Sequence, residues 1–222
     1  MPDITVTLDG KPVSLDGSTL RDLITDARVV AARVDGALVD LSSPVAGGQS
    51  VVTVKADSAD GVQILRHSAS HVMAEAVKIL FPDARPTIGP ATDDGFYYDF
   101  DRDEPFSSED LAKIEDKMNE LVGQDAPFVR REMGRTEAKT FFEQRGEPYK
   151  VEIIGDLPDD VETVSLYEQG SFVDLCRGPH VPATGYLKAF KLLSVAGAYW
   201  RGDEHNRMLQ RIYGTAFAAP KD

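Results

Sequence analysis

"VQILRHSASHVMAEAVKILF", residues 62–81, is the stretch on which the fold turns. Its apolar residues recur at three- and four-residue steps, the mark of a helix, and Pro82 stops it. At ~100° per residue, Leu65, Val72, Met73, Ala76, Ile79 and Leu80 gather about one direction, while His67 and His71 point roughly 160° away. Two histidines four apart share a helix face. The same face carries Ala74 and Lys78, small and then polar. The spacing therefore predicts the pair off the main core stripe, on a partly open wall.

This helix separates two kinds of sequence. Upstream, "ITVTL" (4–8) and "PVSL" (12–15) alternate apolar and polar around Asp9-Gly10, a hairpin signal. "GSTLRDLI" (17–24) predicts a short helix capped by Ser18 or Thr19 and carrying Leu20 and Leu23. "VVAARVDGALVDL" (29–41) gives two more strands about Asp35-Gly36, and "QSVVTVKA" (49–56) closes a compact sheet over one helix. The polar, Gly-containing "DSADG" (57–61) marks a junction, so the units are read as 1–61 and 62–222.

Downstream, "TIGPATDDGFYYDF" (87–100) is a Gly/Pro turn running into an aromatic strand. "SSEDLAKIEDKMNELVGQ" (107–124) opens with Ser107-x-x-Asp110 and places Leu111, Ile114, Met118 and Leu121 on one stripe, a capped amphipathic helix. "FVRREM" reads as a strand, and "TEAKTFFEQRG" as a helix ended by Gly146. "ETVSLYEQGSFVDLC" reads as two strands about Gln169-Gly170, and two further strands end the chain. The second unit is expected to be α+β with a largely antiparallel sheet.

Of the 222 residues, 42% are hydrophobic and 27% charged, an ordinary globular balance. No apolar run reaches the ~18 residues of a membrane span, and no secretory signal pattern is present. With a single cysteine no internal disulfide can form, so a reducing cytoplasm is the expected location. The formal net charge of -13 argues against a module that holds nucleic acid by phosphate contacts alone. Arg130, Arg131, Arg135 and Arg145 are the candidates for any such contact, and His205 in "GDEHNR" reads as a loop residue.

That cysteine lies in "DLCRGPH" (174–180), where Cys176 and His180 repeat the four-residue separation of His67 and His71 in a segment that Gly178-Pro179 keeps from being helical. Three chemistries fit these four groups. Two or three His with one Cys make an acceptable zinc set. A Cys activated by imidazole makes a covalent catalyst. A metal-free pocket can orient a water with help from a nearby Lys or Asp. Spacing alone does not choose among them.

Five segments carry a resemblance: "HSASH" (67–71), "PTIGPATDDGFYYDF" (86–100), "EPYKVEII" (147–154), "DLCRGPH" (174–180) and 187–217. Together they resemble the amino-terminal half of bacterial threonyl-tRNA synthetases. Residues 1–61 resemble the TGS domain of that family, a ubiquitin-like β-grasp fold. Residues 62–222 resemble its editing domain, related to that of alanyl-tRNA synthetases. Nothing in the chain resembles the class II aminoacylation domain or the anticodon-binding domain. The ATP, magnesium and zinc of aminoacylation would accordingly belong to a region outside this chain.

The resemblance implies an editing hydrolase that deacylates seryl-tRNA(Thr), with the serine-bearing 3′ end of the tRNA and the remainder of the synthetase as partners. Residue by residue, it implies His67, His71, Lys150, Cys176 and His180 as catalytic-pocket groups, with Asp174 and Tyr98 binding substrate. In the alanyl relatives the quartet holds zinc. The threonyl pocket works without a metal, so no cofactor is expected for editing here. All of this requires the 67–71 helix and the 174–180 loop to converge with Lys150 around a water-accessible hollow.

Overall fold

In the computed structural model, residues 4–15 and 19–220 are described. The chain begins with β1 (Ile4–Leu8) and β2 (Lys11–Leu15), paired antiparallel from Ile4↔Leu15 to Leu8↔Lys11. Asp9 and Gly10 between them both take positive φ, 46° and 81°. That left-handed pair matches the twist of the flanking strands. After α1 (Leu20–Leu23), Asp35-Gly36 repeats the device between β3 (Val29–Val34) and β4 (Ala37–Val39). Thr19 caps α1, with Asp22 completing a capping box; Ser18, the other candidate, lies outside the described residues. β5 (Ser50–Lys55) runs parallel to β1 and antiparallel to β3, giving the order β2-β1-β5-β3-β4. Leu20 packs beneath this sheet with Val6, Val29 and Val51.

The rest of the chain runs α2 (Ala59–Leu80), β6 (Arg85–Pro86), β7 (Phe96–Asp101), α3 (Ser108–Gly123), β8 (Val129–Gly134), α4 (Arg135–Gln144), α5 (Pro148–Gly155), β9 (Thr163–Gln169), β10 (Phe172–Leu175), β11 (Ala189–Tyr199) and β12 (Met208–Phe217). Where one antiparallel sheet is expected, two form: β10-β9-β8 and β11-β12-β7-β6. The predicted α3 start is observed. Ser107 Oγ accepts from the Asp110 N–H at 3.1 Å while Asp110 reaches back to Ser107, and Ile114, Met118 and Leu121 are buried.

The "DSADG" segment is no linker. Ser58 Oγ accepts from the Gly61 N–H (3.1 Å), making these residues the capped first turn of α2. The Arg33–Asp60 ion pair (2.8 Å) joins this turn to β3.

The histidine face of α2 also differs from expectation. The helix is buried on nearly every side from Ile64 to Val77, packed against β3 and β5, β7 and β12, β10 and α3. Ser68, Ala69, Ser70, Ala74 and Ala76 are all fully buried, their small side chains letting these neighbours approach. His71 is therefore interior, at 2% exposure, and Ile79, assigned to the core stripe, is 43% exposed. Apolar periodicity finds the greasiest face of a helix; it cannot signal that a central helix is enclosed on its other faces too, leaving His67 half-buried as the expected open wall and His71 inside.

The β-branched "EPYKVEII" carries no helical stripe, and the sequence assigns it no element. It forms α5, entered through Pro148 in the first turn. Arg135 sits at the other end and donates to the carbonyls of Ile154 (3.2 Å), Leu157 (2.7 Å) and Pro158 (2.8 Å). Helix carbonyls that lack intrahelical partners need such donors. Arg135 is thus engaged within the fold, while Arg130 and Arg131 pair with Glu132 and Glu168 at 2.8 Å each, and Arg145 stacks on Phe141.

Candidate active site

α2 supplies His67 and His71, α5 supplies Lys150, β7 supplies Tyr98, and β10 with the following loop supplies Asp174, Cys176 and His180. All seven converge, in two chemically distinct halves.

The first half is charged and sealed, which corrects the expected water-accessible hollow about Lys150: that residue is 2% exposed, and the open cleft lies at His67 instead. Asp174, Lys150 and Tyr98 are at most 3% exposed. The Lys150 ammonium pairs with Asp174 and donates to the Thr87 carbonyl (2.7 Å) and to the Tyr98 hydroxyl (3.0 Å). The Tyr98 hydroxyl in turn donates to Asp174 Oδ2 at 2.6 Å. Burial opposes ionisation of Asp174, yet Lys150, His71 and the Tyr98 hydrogen bond together hold its carboxyl below the usual range. For Tyr98, burial and the neighbouring carboxylate push the phenol well up, so it stays a donor. Gly89 makes room for the ring that carries this hydroxyl: a Cβ there would lie 2.0 Å from Tyr98 Cδ2.

The second half is neutral and reaches solvent. Cys176 Sγ lies 3.3 Å from His67 Nε2 and 3.4 Å from His180 Nε2. Burial pushes the Cys176 thiol up to about 12, and lowers His67, His180 and His71, the last to about 3. At neutral pH all four groups are uncharged.

Their hydrogens can be ordered. Ser68 Oγ accepts from the Val181 N–H (3.1 Å) and lies 3.0 Å from His180 Nδ1. A buried hydroxyl proton needs an acceptor, so Ser68 donates to Nδ1. His180 then carries its proton on Nε2 and donates to Cys176 Sγ, and the single thiol proton goes to His67 Nε2. This leaves His67 Nδ1 as the donor, in keeping with its hydrogen bond to the Pro179 backbone. The relay ends at His67, the half-buried member, in a cleft of about 300 Å³ lined also by Leu38, Gln63, Pro90 and Gly178. Behind Cys176 is an aliphatic crevice of about 240 Å³ between α5 and β9, walled by Ile153, Leu157 and Val164.

His71 bridges the halves, with Nε2 3.5 Å from Asp174 Oδ2. Being neutral at this position, it contributes a dipole rather than an ion pair.

The His67, His71, Cys176 and His180 ligand atoms all lie within 4.8 Å of one another. Zn–N and Zn–S bonds of about 2.0–2.3 Å set tetrahedral ligand separations near 3.3–3.6 Å. The two Cys–His distances fit, and neutral imidazole is the ligating form. These residues can hold a zinc ion.

Several supporting groups carry no sequence signal. Asp40, at the end of β4, accepts from the His180 backbone N–H (2.7 Å) and from the Tyr167 hydroxyl (2.5 Å), tying the five-stranded sheet to the 174–180 loop. Gly178, at φ 73°, clears that hydroxyl, which a Cβ would meet at 2.0 Å. Phe128 stacks on His180 at 4.7 Å and 7°. Ser68 and Gly178 were within reach of sequence reading, lying inside "HSASH" and "DLCRGPH". His205 sits apart, exposed and paired with Asp203.

Residues 164–213, from β9 through most of β12, match a family model described as the threonyl and alanyl tRNA synthetase second additional domain. A threonine–tRNA ligase of Nitratidesulfovibrio vulgaris is 53% identical over 227 residues, covering 98% of this chain and 35% of the relative. Another from a Geobacter species is 54% identical over 230 residues, 100% of this chain and 36% of the relative. One from Methylococcus capsulatus is 57% identical over 193 residues, 87% and 30%. The chain spans about a third of the length of these curated relatives. It is a homologue of the threonine–tRNA ligases along essentially its whole length and carries the second additional domain of the threonyl and alanyl tRNA synthetases.

Proposed function

We propose that this chain hydrolyses the ester joining serine to the 3′-terminal adenosine of threonine tRNA, an editing step serving the synthetase of which it forms a part. A synthetic site distinguishes threonine from serine by one methyl, worth only ~1–3 kcal/mol, so a second pocket that destroys the wrong product is the physical remedy. The observation that carries this reading is the juxtaposition of a buried lysine–carboxylate–tyrosine group with a neutral imidazole relay that opens into a cleft.

Ester hydrolysis needs a proton acceptor, a placed water and positive charge for the developing oxyanion. His67, uncharged at neutral pH and at the cleft, is the acceptor, its Nε2 taking the water's proton as the weakly held Cys176 S–H turns away from it. Lys150, whose three N–H donors are taken by Asp174, Thr87 and Tyr98, acts on the developing oxyanion through its positive charge rather than by direct contact. Asp174 and Tyr98 hold the ammonium in place and, with His71, Cys176 and His180, shape the seryl site. Cys176 is no nucleophile, since a thiol pushed up to about 12 is protonated at neutral pH. The quartet's fit to zinc favours a second reading, a zinc hydrolase on the same residues, in which the ion would act as Lewis acid. The charged half, which supplies positive charge without an ion, favours the metal-free one.

Residues 1–61 are assigned as a TGS-like β-grasp unit and 62–222 as the editing unit. In the cytoplasm, tRNA would be delivered chiefly by the rest of the synthetase, in keeping with the net charge of -13. A purely binding role has less support, because the relay and the ion pair are both intact. Incubation with seryl- and threonyl-tRNA(Thr) decides the matter. Serine should be released, threonine spared, and activity lost in His67→Ala and Lys150→Ala. Equal rates on both esters, or full activity in both variants, would overturn the proposal.

A further inference from the structure

Lys150 sits on a helix of eight residues, too short to be stable alone in water. What fixes that helix fixes the ammonium. Its inner face turns Lys150 and Ile154 into the protein. Its outer face presents Tyr149, Glu152 and Asp156, spaced i, i+3 and i+7.

All three outer residues are gripped from the β11–β12 hairpin or its sheet. Trp200, buried at the hairpin tip and the only tryptophan in the chain, donates its indole N–H to Glu152 Oε1 at 3.0 Å. The same ring meets Tyr149 edge-on at 5.0 Å. Arg201, next along, pairs with Glu152 at 2.9 Å and also with Asp156. The Tyr149 hydroxyl donates to Asp101 at the end of β7 (2.9 Å), which also takes the Arg207 guanidinium from the return strand (2.7 Å). The tip itself is closed by Trp200 N–H to the Arg207 carbonyl (3.0 Å) and the Asn206 amide to the Trp200 carbonyl (3.1 Å). Arg201 and Gly202 both take positive φ, 58° and 72°, turning the two side chains onto α5.

We propose that this hairpin tip is a clasp that sets the position of Lys150, with Trp200 and Arg201 as positioning residues that never touch the substrate. The aromatic contact and the indole hydrogen bond fix the helix laterally, and the two Arg201 ion pairs fix its rotation. Turning α5 would carry the ammonium off Asp174 and Tyr98. The activity arm of this inference rests on the hydrolytic reading; the accessibility of Lys150 does not.

The test therefore has two arms on the full chain, using Trp200→Ala, Trp200→Phe and Arg201→Ala. In the first, amines are acetylated and the rate at each lysine is mapped by mass spectrometry. Lys150 should be protected in the wild type and labelled at least about tenfold faster in Trp200→Ala and Arg201→Ala, with Lys117 on α3, paired with Glu120 and away from α5, unchanged as the control for general unfolding. Trp200→Phe, which keeps the ring and loses the N–H, should fall between. In the second, kcat for seryl-tRNA deacylation should drop roughly 10- to 100-fold with little change in KM. Should Trp200→Ala fail to fold, the exposed Arg201→Ala carries both arms. Unchanged Lys150 labelling in the clasp variants, or wild-type kcat in them while the wild type hydrolyses seryl-tRNA, overturns the clasp. A wild type inert on every ester, with Lys150 freed in the variants, sinks the hydrolytic reading and leaves the clasp standing.

Discussion

The two halves of the site use burial in opposite ways. Around Asp174, burial keeps a charge pair together: an ammonium, a carboxylate and a phenol satisfy one another where water cannot. Around Cys176, burial removes charge, leaving three imidazoles and a thiol neutral, with His67, Cys176, His180 and Ser68 linked by single protons. The first arrangement is an electrostatic anchor that fails if either partner is lost. The second is a proton relay expected to tolerate loss of its middle member, Cys176, but not of His67 at its open end.

Breaking the anchor should have the largest effect. Asp174→Ala strands a buried ammonium and is expected to cost about 3–5 kcal/mol of stability, read as a lowered denaturant midpoint, together with all hydrolytic activity. The double variant Lys150→Met/Asp174→Leu should recover much of the stability and none of the activity. If Asp174→Ala unfolds at the wild-type midpoint, the pair is not the anchor described. Next comes Gly89→Ala, whose Cβ would strike the Tyr98 ring and push its hydroxyl from Asp174. A loss of about 1–3 kcal/mol is expected, as for overpacking.

Acid should separate the halves. His71 is held at about 3 in the fold against 6.5 when exposed, so between those values the unfolded chain binds the extra proton. This stability is fully present above about pH 6.5 and is lost as pH falls toward about 3, with a slope approaching ~1.4 kcal/mol per pH unit for each such histidine. His180 and His67 act in the same direction. Asp174, held low, adds its own loss only in stronger acid, below the ordinary carboxylate range. Melting temperatures from pH 7 to 5 should fall in the wild type and fall less steeply in His71→Gln. A flat wild-type profile would contradict the neutral relay. The smallest effect belongs to Cys176→Ala, which should slow hydrolysis roughly tenfold without trapping an acyl-enzyme; complete loss with a covalent adduct would make the thiol a nucleophile.

Much of the architecture was legible because its signals are local. Asp-Gly pairs between alternating strands, the Ser107/Asp110 box and the apolar stripe of α3 each act within a few residues. The seven site residues were legible through motifs that recur in a family rather than through spacing, which left three chemistries open. What escaped depends on distant neighbours. α5 is a helix because Trp200, Arg201 and Arg135 hold it, although its own sequence favours extended chain. His71 is interior because strands from both units enclose α2. Asp40, 140 positions from the His180 N–H it accepts, has no mark in the sequence.

On the proposed reading, these side chains hydrolyse a seryl ester without a metal. Single-turnover deacylation of seryl-tRNA(Thr), with protein stripped by chelator and analysed for zinc in the same sample, tests it most directly. The account predicts undiminished serine release from zinc-free protein and its collapse in Lys150→Ala. Activity that disappears with the metal and returns on adding zinc would contradict it.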